Sequence, residues 1–370
     1  MTEPACQNLP QSPAPAAAAA VVVGGSLGGL CTALALSRVG IASTVLERTA
    51  GRTQRGVAIR AAGAPLESAI GAAAYRHVAE VLGDAAIRQG TLPHAWWDVY
   101  SALRAAVAAD PAITLVEGAK VVEAGEQDGK AWARDESGQT WQGDLLVGAD
   151  GYRSVVRHYV AADQRHAGYA GYIAWLGQCE IPENWQKRIR GVDFFPHGRE
   201  MLAVYPLIDK SMQRTRFGWG WFDARHNPLM RELGVVKDGQ VMHTPRTDII
   251  PRDVLEALAE RAELLWDEPW RSGIVQALRA GEVVATPISE YIPQQVVRGC
   301  VALIGDAAHA QTPMTGAGFE EAVLDAAALA DALRGQADVP QALQHYEWMR
   351  LEDMRQRVEA GQSFSRSLMG

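Results

Sequence analysis

Residues 18–29 read Ala-Ala-Ala-Val-Val-Val-Gly-Gly-Ser-Leu-Gly-Gly, a short apolar run that ends in a glycine-rich turn. Apolar residues then recur at helical spacing as far as Gly40, and Ile41–Leu46 forms a second apolar run that closes with Glu47. A strand, a glycine turn, a helix, a strand and an acid within about 30 residues are typical of a βαβ unit that binds a dinucleotide.

Each residue type in this unit has a physical role. Gly24 allows a sharp turn, and Gly29 lets the helix pack closely on the strand, so that the helix N-terminus faces a pyrophosphate. Ser26 replaces the middle glycine of G-x-G-x-x-G, but a serine is small and its hydroxyl can donate to a phosphate. Glu47 lies 23 positions after Gly24, where its carboxylate can accept hydrogen bonds from a ribose. The predicted site comprises Gly24, Gly25, Ser26, Leu27, Gly29, Glu47 and Arg48. The alternative is a βαβ unit without a ligand.

Two further predicted strands lead into segments that contain glycine and an acidic residue. The predicted strand Asp144–Val147 leads into Gly148-Ala149-Asp150-Gly151, and Val301–Ile304 leads into Gly305-Asp306. Pro313, Gly316, Ala317 and Gly318 follow, before a helical pattern over Phe319–Leu333. Open α/β sheets bind ligands at such strand ends. An acid after a strand is more often a helix cap, so each corner alone is a weak signal, whereas the three in this order form a strong one.

The middle of the chain predicts a β-sheet. Strands are expected at Tyr169–Trp175, Val192–Pro196, Met201–Pro206 and Thr215–Phe222, with the helix Asp253–Leu265 covering the sheet. In residues 217–221 aromatic side chains alternate with glycines, which places the aromatics on one face and leaves the other nearly bare. The aromatics therefore form either a core or the wall of a ligand pocket. Gln341–Met369 predicts a terminal helix, docked or at an oligomer contact.

Composition excludes several classes of protein. The 370 residues suggest two or three domains, and 35 Lys+Arg against 43 Asp+Glu argue against a general nucleic-acid binder. The four cysteines form no zinc or disulfide spacing, which favours a cytoplasmic protein without a metal site. Ala16–Ser37 is uncharged, but its glycines argue against a membrane helix, and no basic residue precedes Arg38 as a signal peptide requires. Residues 1–15 predict a disordered leader.

The three corners resemble the motifs of the FAD-dependent aromatic hydroxylases, the single-component flavoprotein monooxygenases related to p-hydroxybenzoate hydroxylase. Within that family, Gly24-Gly25-Ser26, Tyr100 and residues 168–175 are most similar to the 2,6-dihydroxypyridine 3-hydroxylases. The resemblance implies an α/β fold: a Rossmann-like FAD-binding domain with an inserted, mainly antiparallel substrate domain and a C-terminal helix. The domains are expected at 16–60, 96–165 and 284–335 for FAD, at 61–95 and 166–283 for the substrate, and at 336–370 for the helix.

The resemblance also assigns roles. Glu47 is expected to hold the adenosine ribose of non-covalent FAD, and Asp306 its ribityl chain. The Gly316–Gly318 backbone faces the flavin pyrimidine. Asp150 supports the region where pyrophosphate and the co-substrate, NADH or NADPH, meet.

The implied reaction is hydroxylation of a small hydroxylated aromatic or N-heteroaromatic ring through a flavin hydroperoxide, with molecular oxygen as co-substrate. Urate hydroxylases carry an arginine where this chain has Met201, which favours a hydroxypyridine-like substrate. The expected pocket walls are Tyr172, Trp175, Tyr205 and Trp219, and the candidate catalytic groups are His197, Tyr205 and His309. A homodimer is expected, without a nucleic-acid or membrane partner. A reductase or halogenase on the same scaffold, a salicylate- or hydroxybenzoate-type hydroxylase and a non-catalytic flavin sensor are the alternatives.

Overall fold

The computed structural model describes residues 19–51, 58–61, 63–83, 93–180, 191–209 and 214–369, so the predicted leader lies outside the described residues. A six-stranded sheet has the order β17-β18-β9-β1-β2-β5 and is parallel except for the edge strand β17. Its strands are β1 (Ala19–Val23), β2 (Ala42–Glu47), β5 (Ile113–Glu117), β9 (Leu145–Gly148), β17 (Val297–Arg298) and β18 (Val301–Leu303).

Helices cover this first sheet because their apolar faces share one core with it. They are α1 (Leu27–Arg38), α2 (Gly63–Leu82), α3 (Trp96–Ala108), α8 (Gly318–Leu333) and α9 (Val339–Met369). A three-stranded antiparallel sheet, β6 (Val121–Gln127), β7 (Lys130–Asp135) and β8 (Thr140–Gly143), lies between β5 and β9 in the chain, and the short helix α4 (Arg157–Val160) follows β9.

The second sheet has seven strands in the order β16-β10-β13-β12-β4-β3, with β11 also paired to β12. Its pairs are antiparallel except for β12 with β4. The strands are β3 (Ala58–Ile59), β4 (His94–Ala95), β10 (Gly168–Cys179), β11 (Asp193–His197), β12 (Glu200–Asp209), β13 (Arg214–Asp223) and β16 (Val283–Glu290). Between β13 and β16 come α5 (Asn227–Glu232), β14 (Val236–Lys237), β15 (Gln240–Val241), α6 (Arg252–Leu265) and α7 (Trp270–Ala280).

The two faces of the second sheet differ in what covers them. Alternate residues of β10 and β13, including Trp175 and Trp219, pack against α6 and α7 in a buried core, which we call the covered face. The opposite residues, which we call the open face, include Tyr172 and Phe222 in a separate apolar cluster. Of the two interpretations of the glycine–aromatic pattern, the core interpretation is therefore confirmed. Trp175 and Trp219 lie in the core of the covered face, opposite Tyr172, and their place in the substrate pocket stays a prediction.

The segment between β2 and α3 contributes to both layers. Helix α2 shares the core of the first sheet, whereas β3 and β4 extend the second sheet. The predicted domain boundaries stay a prediction, although this packing divides residues 61–95 between the two layers. Within the described residues, no helix is both long enough and apolar enough to span a bilayer.

The burial of Trp219 allows a test of whether the covered face forms a hydrophobic core. Trp219→Ala removes a fully buried ring from this core, and we expect it to lower the free energy of unfolding by about 3–5 kcal/mol. Trp348→Ala is the matched control, because Trp348 is 78% exposed, and we expect a change within about 0.5 kcal/mol. Urea unfolding followed by circular dichroism measures both. Equal, small effects would contradict the core assignment.

Candidate functional site

The first corner is formed by close backbone contacts. Gly24 has φ of 109°, and a Cβ there would lie 2.3 Å from the Ala149 carbonyl oxygen at the end of β9. A Cβ on Gly29 would lie 1.8 Å from the Gly24 oxygen, so any larger residue would push α1 away from the turn. These contacts explain why both glycines are needed, and they place the N-terminus of α1 at the carboxyl edge of the first sheet.

Glu47 ends β2 beside this turn. Its carboxylate is buried and accepts hydrogen bonds from the backbone N–H groups of Gly25 and Thr49, each at 2.9 Å. Each carboxylate oxygen can accept more than one hydrogen bond, so Glu47 keeps capacity for ribose hydroxyls. The following Arg48 is exposed.

At the second corner the acidic residue, Asp150, acts as a helix cap. The Asp150 carboxylate accepts from the Ser154 hydroxyl at 2.5 Å and from the Val155 and Val156 N–H groups at 2.7 and 3.3 Å. Burial raises the pKa of Asp150 above its usual range, although these donors oppose the rise. Asp150 thus caps the segment that leads into α4. Its own side chain does not line the site, but the residues on either side of it do.

The third corner is a single 3₁₀ turn, Gly305–Ala307, whose middle residue Asp306 is exposed. Arg157, which sequence reasoning missed, is fully buried behind this turn. Its guanidinium donates to the carbonyls of Ala307 (2.8 Å), Asp306 (3.0 Å) and Tyr152 (3.0 Å), and it lies 4.1 Å from the ring centroid of Tyr291. The available signal was an arginine seven residues after Asp150, in the segment that links the second corner to the third.

The three corners line one open cleft of about 330 Å³, within the usual range of about 300–1,000 Å³ for ligand pockets. The opposite wall comes from β3 and the start of α3, where Arg60 and Trp96 are lining residues that the sequence did not reveal. The predicted residues in the lining are Ser26, Leu27, Asp306, Pro313, Gly316 and Gly318. Gly24, Gly25, Gly29 and Glu47 form the turn below them, and Ala317 precedes α8.

Two of the three predicted catalytic groups lie elsewhere. His309 is buried, is hydrogen-bonded to Asp325 at 2.6 Å and is absent from the lining of the cleft. His197 is exposed at the end of β11 and meets the edge of Trp266, a residue of the covered-face core, at 6.4 Å between ring centroids. The structure places neither side chain in the lining of the cleft, and their catalytic role stays a prediction.

Tyr205 is on the open face. Its ring lies over Gly218, where a Cβ would be 2.1 Å from the Tyr205 Cε2 atom, so the bare glycine accommodates this ring. Burial raises the pKa of the Tyr205 phenol, and the Ala58 backbone N–H, at the edge of the cleft, partly offsets the rise. Tyr172 also lies on this face, so these two of the four predicted pocket walls stay candidates.

A chain of hydroxyl groups leaves the cleft at Thr312. The Thr312 and Tyr172 hydroxyl oxygens are 2.6 Å apart, and the Tyr172 oxygen is 3.3 Å from the Ser365 hydroxyl. Ser365 donates to the Glu290 carboxylate at 2.5 Å. Burial raises the pKa of the partly exposed Glu290. Sequence reasoning missed this chain because its members come from β10, β16, α9 and the loop before α8, and nothing local in the sequence links them.

Comparison with known proteins agrees with this site. The family model of an FAD binding domain matches residues 274–360. The chain is 29% identical over 367 residues to the aurachin C monooxygenase/isomerase of Stigmatella aurantiaca, with 90% of this chain and 85% of that protein covered. It is 31% identical over 230 residues to the FAD-dependent urate hydroxylase of Klebsiella oxytoca, with 62% and 53% covered.

A solved structure shares the fold. The 2,6-dihydroxypyridine-3-hydroxylase from Arthrobacter nicotinovorans superposes with a TM-score of 0.77 at 20% identity, over 96% of this chain and 93% of that chain. Fold and site together define a flavoprotein, and the glycine corners, Glu47 and the exposed Asp306 fit FAD. The chain contains an FAD binding domain and is similar to FAD-dependent monooxygenases and hydroxylases.

Asp306 provides a test of the third corner. If Asp306 accepts from a ribityl hydroxyl, as the resemblance implies, Asp306→Ala removes a charged hydrogen bond of about 1.5–3 kcal/mol, and we expect FAD affinity to fall by about 10- to 150-fold. Asp253→Ala, an exposed acid at the start of α6, is the control and should bind FAD normally. Quenching of flavin fluorescence measures the dissociation constant. An unchanged constant in Asp306→Ala would show that this corner does not hold the cofactor.

Proposed function

We propose that the protein is an FAD- and NAD(P)H-dependent monooxygenase that hydroxylates a small, flat ring carrying hydroxyl groups, of the hydroxypyridine kind. One observation carries the proposal: residues 312–318 border the FAD cleft, while Thr312 and Met314 contact the open face of the second sheet. A ring bound on that face lies next to the cofactor. FAD, reduced by NAD(P)H, activates molecular oxygen, and the residues of the chain bind, orient and deprotonate the substrate.

The open face suits a flat, weakly polar ring. Its buried cluster contains aromatic and aliphatic side chains only, with Tyr172 and Phe222 tilted at 54° and 6.2 Å apart. Gly218 and Gly220 lie on the same face, where the Tyr205 ring covers Gly218 and the Leu176 side chain lies against Gly220. An aromatic substrate is retained there by apolar contact and ring packing, and a few polar groups at the rim fix its orientation.

The hydroxyl chain supplies a path for the proton of the substrate. A ring hydroxyl beside Thr312 gives its proton to the Thr312 oxygen, and Thr312 passes its own proton to the Tyr172 oxygen. In the structure Ser365 is placed to donate to the Tyr172 oxygen and to the Glu290 carboxylate. Once the Ser365 proton has moved to Glu290, the Ser365 oxygen accepts the Tyr172 proton, so that one proton passes from the cleft to a partly exposed carboxylate. Because burial raises the pKa of Glu290, this carboxylate accepts a proton more readily than an exposed glutamate. Loss of the proton makes the ring electron-rich enough to accept oxygen.

Met201 favours this substrate class over urate. It packs against the apolar cluster of the open face, at the position where the resemblance places an arginine in urate hydroxylases. A thioether provides no charge for an anionic purine, whereas it packs well on a flat heterocycle. The relatives that act on urate therefore indicate the reaction, and the open face of this chain indicates a different ring.

Tyr172→Phe tests the proton path. The substitution keeps the ring and removes the central hydroxyl, so we expect kcat near neutral pH to fall by about 10- to 100-fold and to recover in alkali, where hydroxide removes the substrate proton directly. FAD affinity should not change. Tyr159→Phe, a tyrosine that contacts Arg298 away from the cleft, is the control. Steady-state hydroxylation against pH measures the effect, and an identical pH profile for Tyr172→Phe and the wild type would exclude the path.

A substrate panel tests the ring class. Hydroxypyridines, salicylate, urate and monohydroxybenzoates should be compared by NAD(P)H oxidation and by hydroxylated product. We expect turnover with hydroxypyridines and none with urate, because the open face has no cation at Met201. Product from a carboxylated benzene ring alone would overturn the heterocycle assignment and leave the monooxygenase assignment intact. Fast NAD(P)H oxidation without hydroxylated product from any ring would indicate a reductase.

A further inference from the structure

A cluster of buried charges lies behind the third corner and outside the cleft. It consists of His309, Glu321, Asp325 and Arg350, which we call the Asp325 cluster, and each of these residues is at most 9% exposed. Asp325 accepts from the Arg350 Nε at 2.9 Å through Oδ1, and Arg350 Nη2 reaches Glu321 at 2.8 Å. None of the four lines the cleft, so direct contact with FAD does not explain why charges are buried here, and none of them belongs to the proton path.

The cluster is attached directly to the turn that carries Asp306. The Asp325 Oδ2 atom accepts from the Gly305 backbone N–H at 2.9 Å and from His309 Nε2 at 2.6 Å. The backbone N–H of His309 in turn donates to the Gly305 carbonyl at 2.8 Å. With Arg157 bound to the carbonyls of Asp306 and Ala307 on the other side, the turn is fixed between two buried arginines, one of which acts through Asp325.

An imidazolium at His309 gives Asp325 a second charged partner. Arg350 contacts the Oδ1 atom of Asp325, whereas His309 contacts Oδ2, the atom that also accepts from the Gly305 N–H. Glu321 is paired with Arg350 and with the largely exposed Arg357, at 2.8 and 2.9 Å. Burial alone would lower the pKa of His309, but the Asp325 carboxylate outweighs it and the net shift is upward. Burial would raise the pKa of Asp325, yet His309 and Arg350 hold it below the usual range.

The other groups around His309 do not titrate in the same way. Asp306 on its own turn adds negative charge, and Arg350 from α9 adds positive charge. Tyr346, also from α9, has a pKa well above its usual value because it is buried, so it stays neutral, and its hydroxyl donates to the Leu303 carbonyl. Since Asp325 holds the Nε2 proton, the proton that His309 releases is the one on Nδ1. Within the described residues this buried atom has no hydrogen-bond partner.

We propose that His309 is a positioning residue for FAD: through Asp325 it fixes the Gly305–Ala307 turn, and its charge links FAD affinity to pH. Below the pKa of His309, the imidazolium–carboxylate pair holds Asp325 against the Gly305 N–H, and Asp306 is presented to the ribityl chain. Above that pKa the charge is lost, the Oδ2 atom of Asp325 keeps only neutral hydrogen-bond donors, and the turn loosens. FAD is therefore bound less tightly on the alkaline side.

His309→Gln separates the charge from the hydrogen bond. A glutamine Nε2 can still donate to Asp325 but cannot be protonated, so the turn keeps its contact and loses its titration. The dissociation constant of FAD should be measured by flavin fluorescence with full-length apoprotein, from about pH 6 to about pH 10, around and above the ordinary histidine pKa of about 6.5. We expect the wild-type constant to rise about 5- to 20-fold across this range. The His309→Gln constant should be flat and close to the alkaline wild-type value.

Two further variants complete the experiment. His345→Gln, an exposed histidine on α9 that stacks on Trp348, should follow the wild-type profile. His309→Leu removes the donor as well and should bind FAD more weakly than His309→Gln at every pH. A His309→Gln profile that rises in parallel with the wild type, or a flat wild-type profile, would overturn the proposal. Because no aromatic substrate is present, these results are independent of the hydroxylation chemistry proposed above.

Discussion

The backbone contact between the first glycine turn and the end of β9 sets the geometry of the whole site. Gly24 meets the Ala149 carbonyl at a distance that no side chain tolerates, and Gly29 brings α1 against the same turn. Parallel pairing of β1 with β9 and of β9 with β18 then brings the three acid-bearing corners to one edge of the sheet. If this contact opened, the three corners would no longer line one cleft.

The cofactor side of the molecule was predictable because its signals are local. A glycine at a position without room for a Cβ, an acidic residue at the end of a strand and a periodic pattern of apolar residues can each be recognised within about 30 residues of sequence. Every predicted strand and helix of the first sheet is present, with ends that differ by a residue or two. The contacts of Arg157 and of the Asp325 cluster were not predictable, because the partners of these buried charges come from other elements of the chain.

The substrate side was predicted less well, and β13 shows why. Residues 217–221 revealed that one face is aromatic and the other bare, but the pattern could not say which face is turned to the cofactor. Burial of the aromatics under α6 and α7 decides it, and that packing depends on the order of strands in the sheet. Tyr172 and Tyr205 lie on the face opposite the tryptophans and stay candidates for the wall of the substrate pocket.

Helix α9 contacts residues on both the cofactor side and the substrate side of the molecule. Arg350 in its first half contacts the Asp325 cluster, while Ser365 near its end contacts Tyr172 and Glu290. Between them, Gly361 lies so close to Thr312 that a Cβ would be 2.8 Å from the threonine methyl. The helix therefore contacts the groups behind the Gly305–Ala307 turn at one point and the hydroxyl chain at another. A shift of α9 along its axis would change both sets of contacts together.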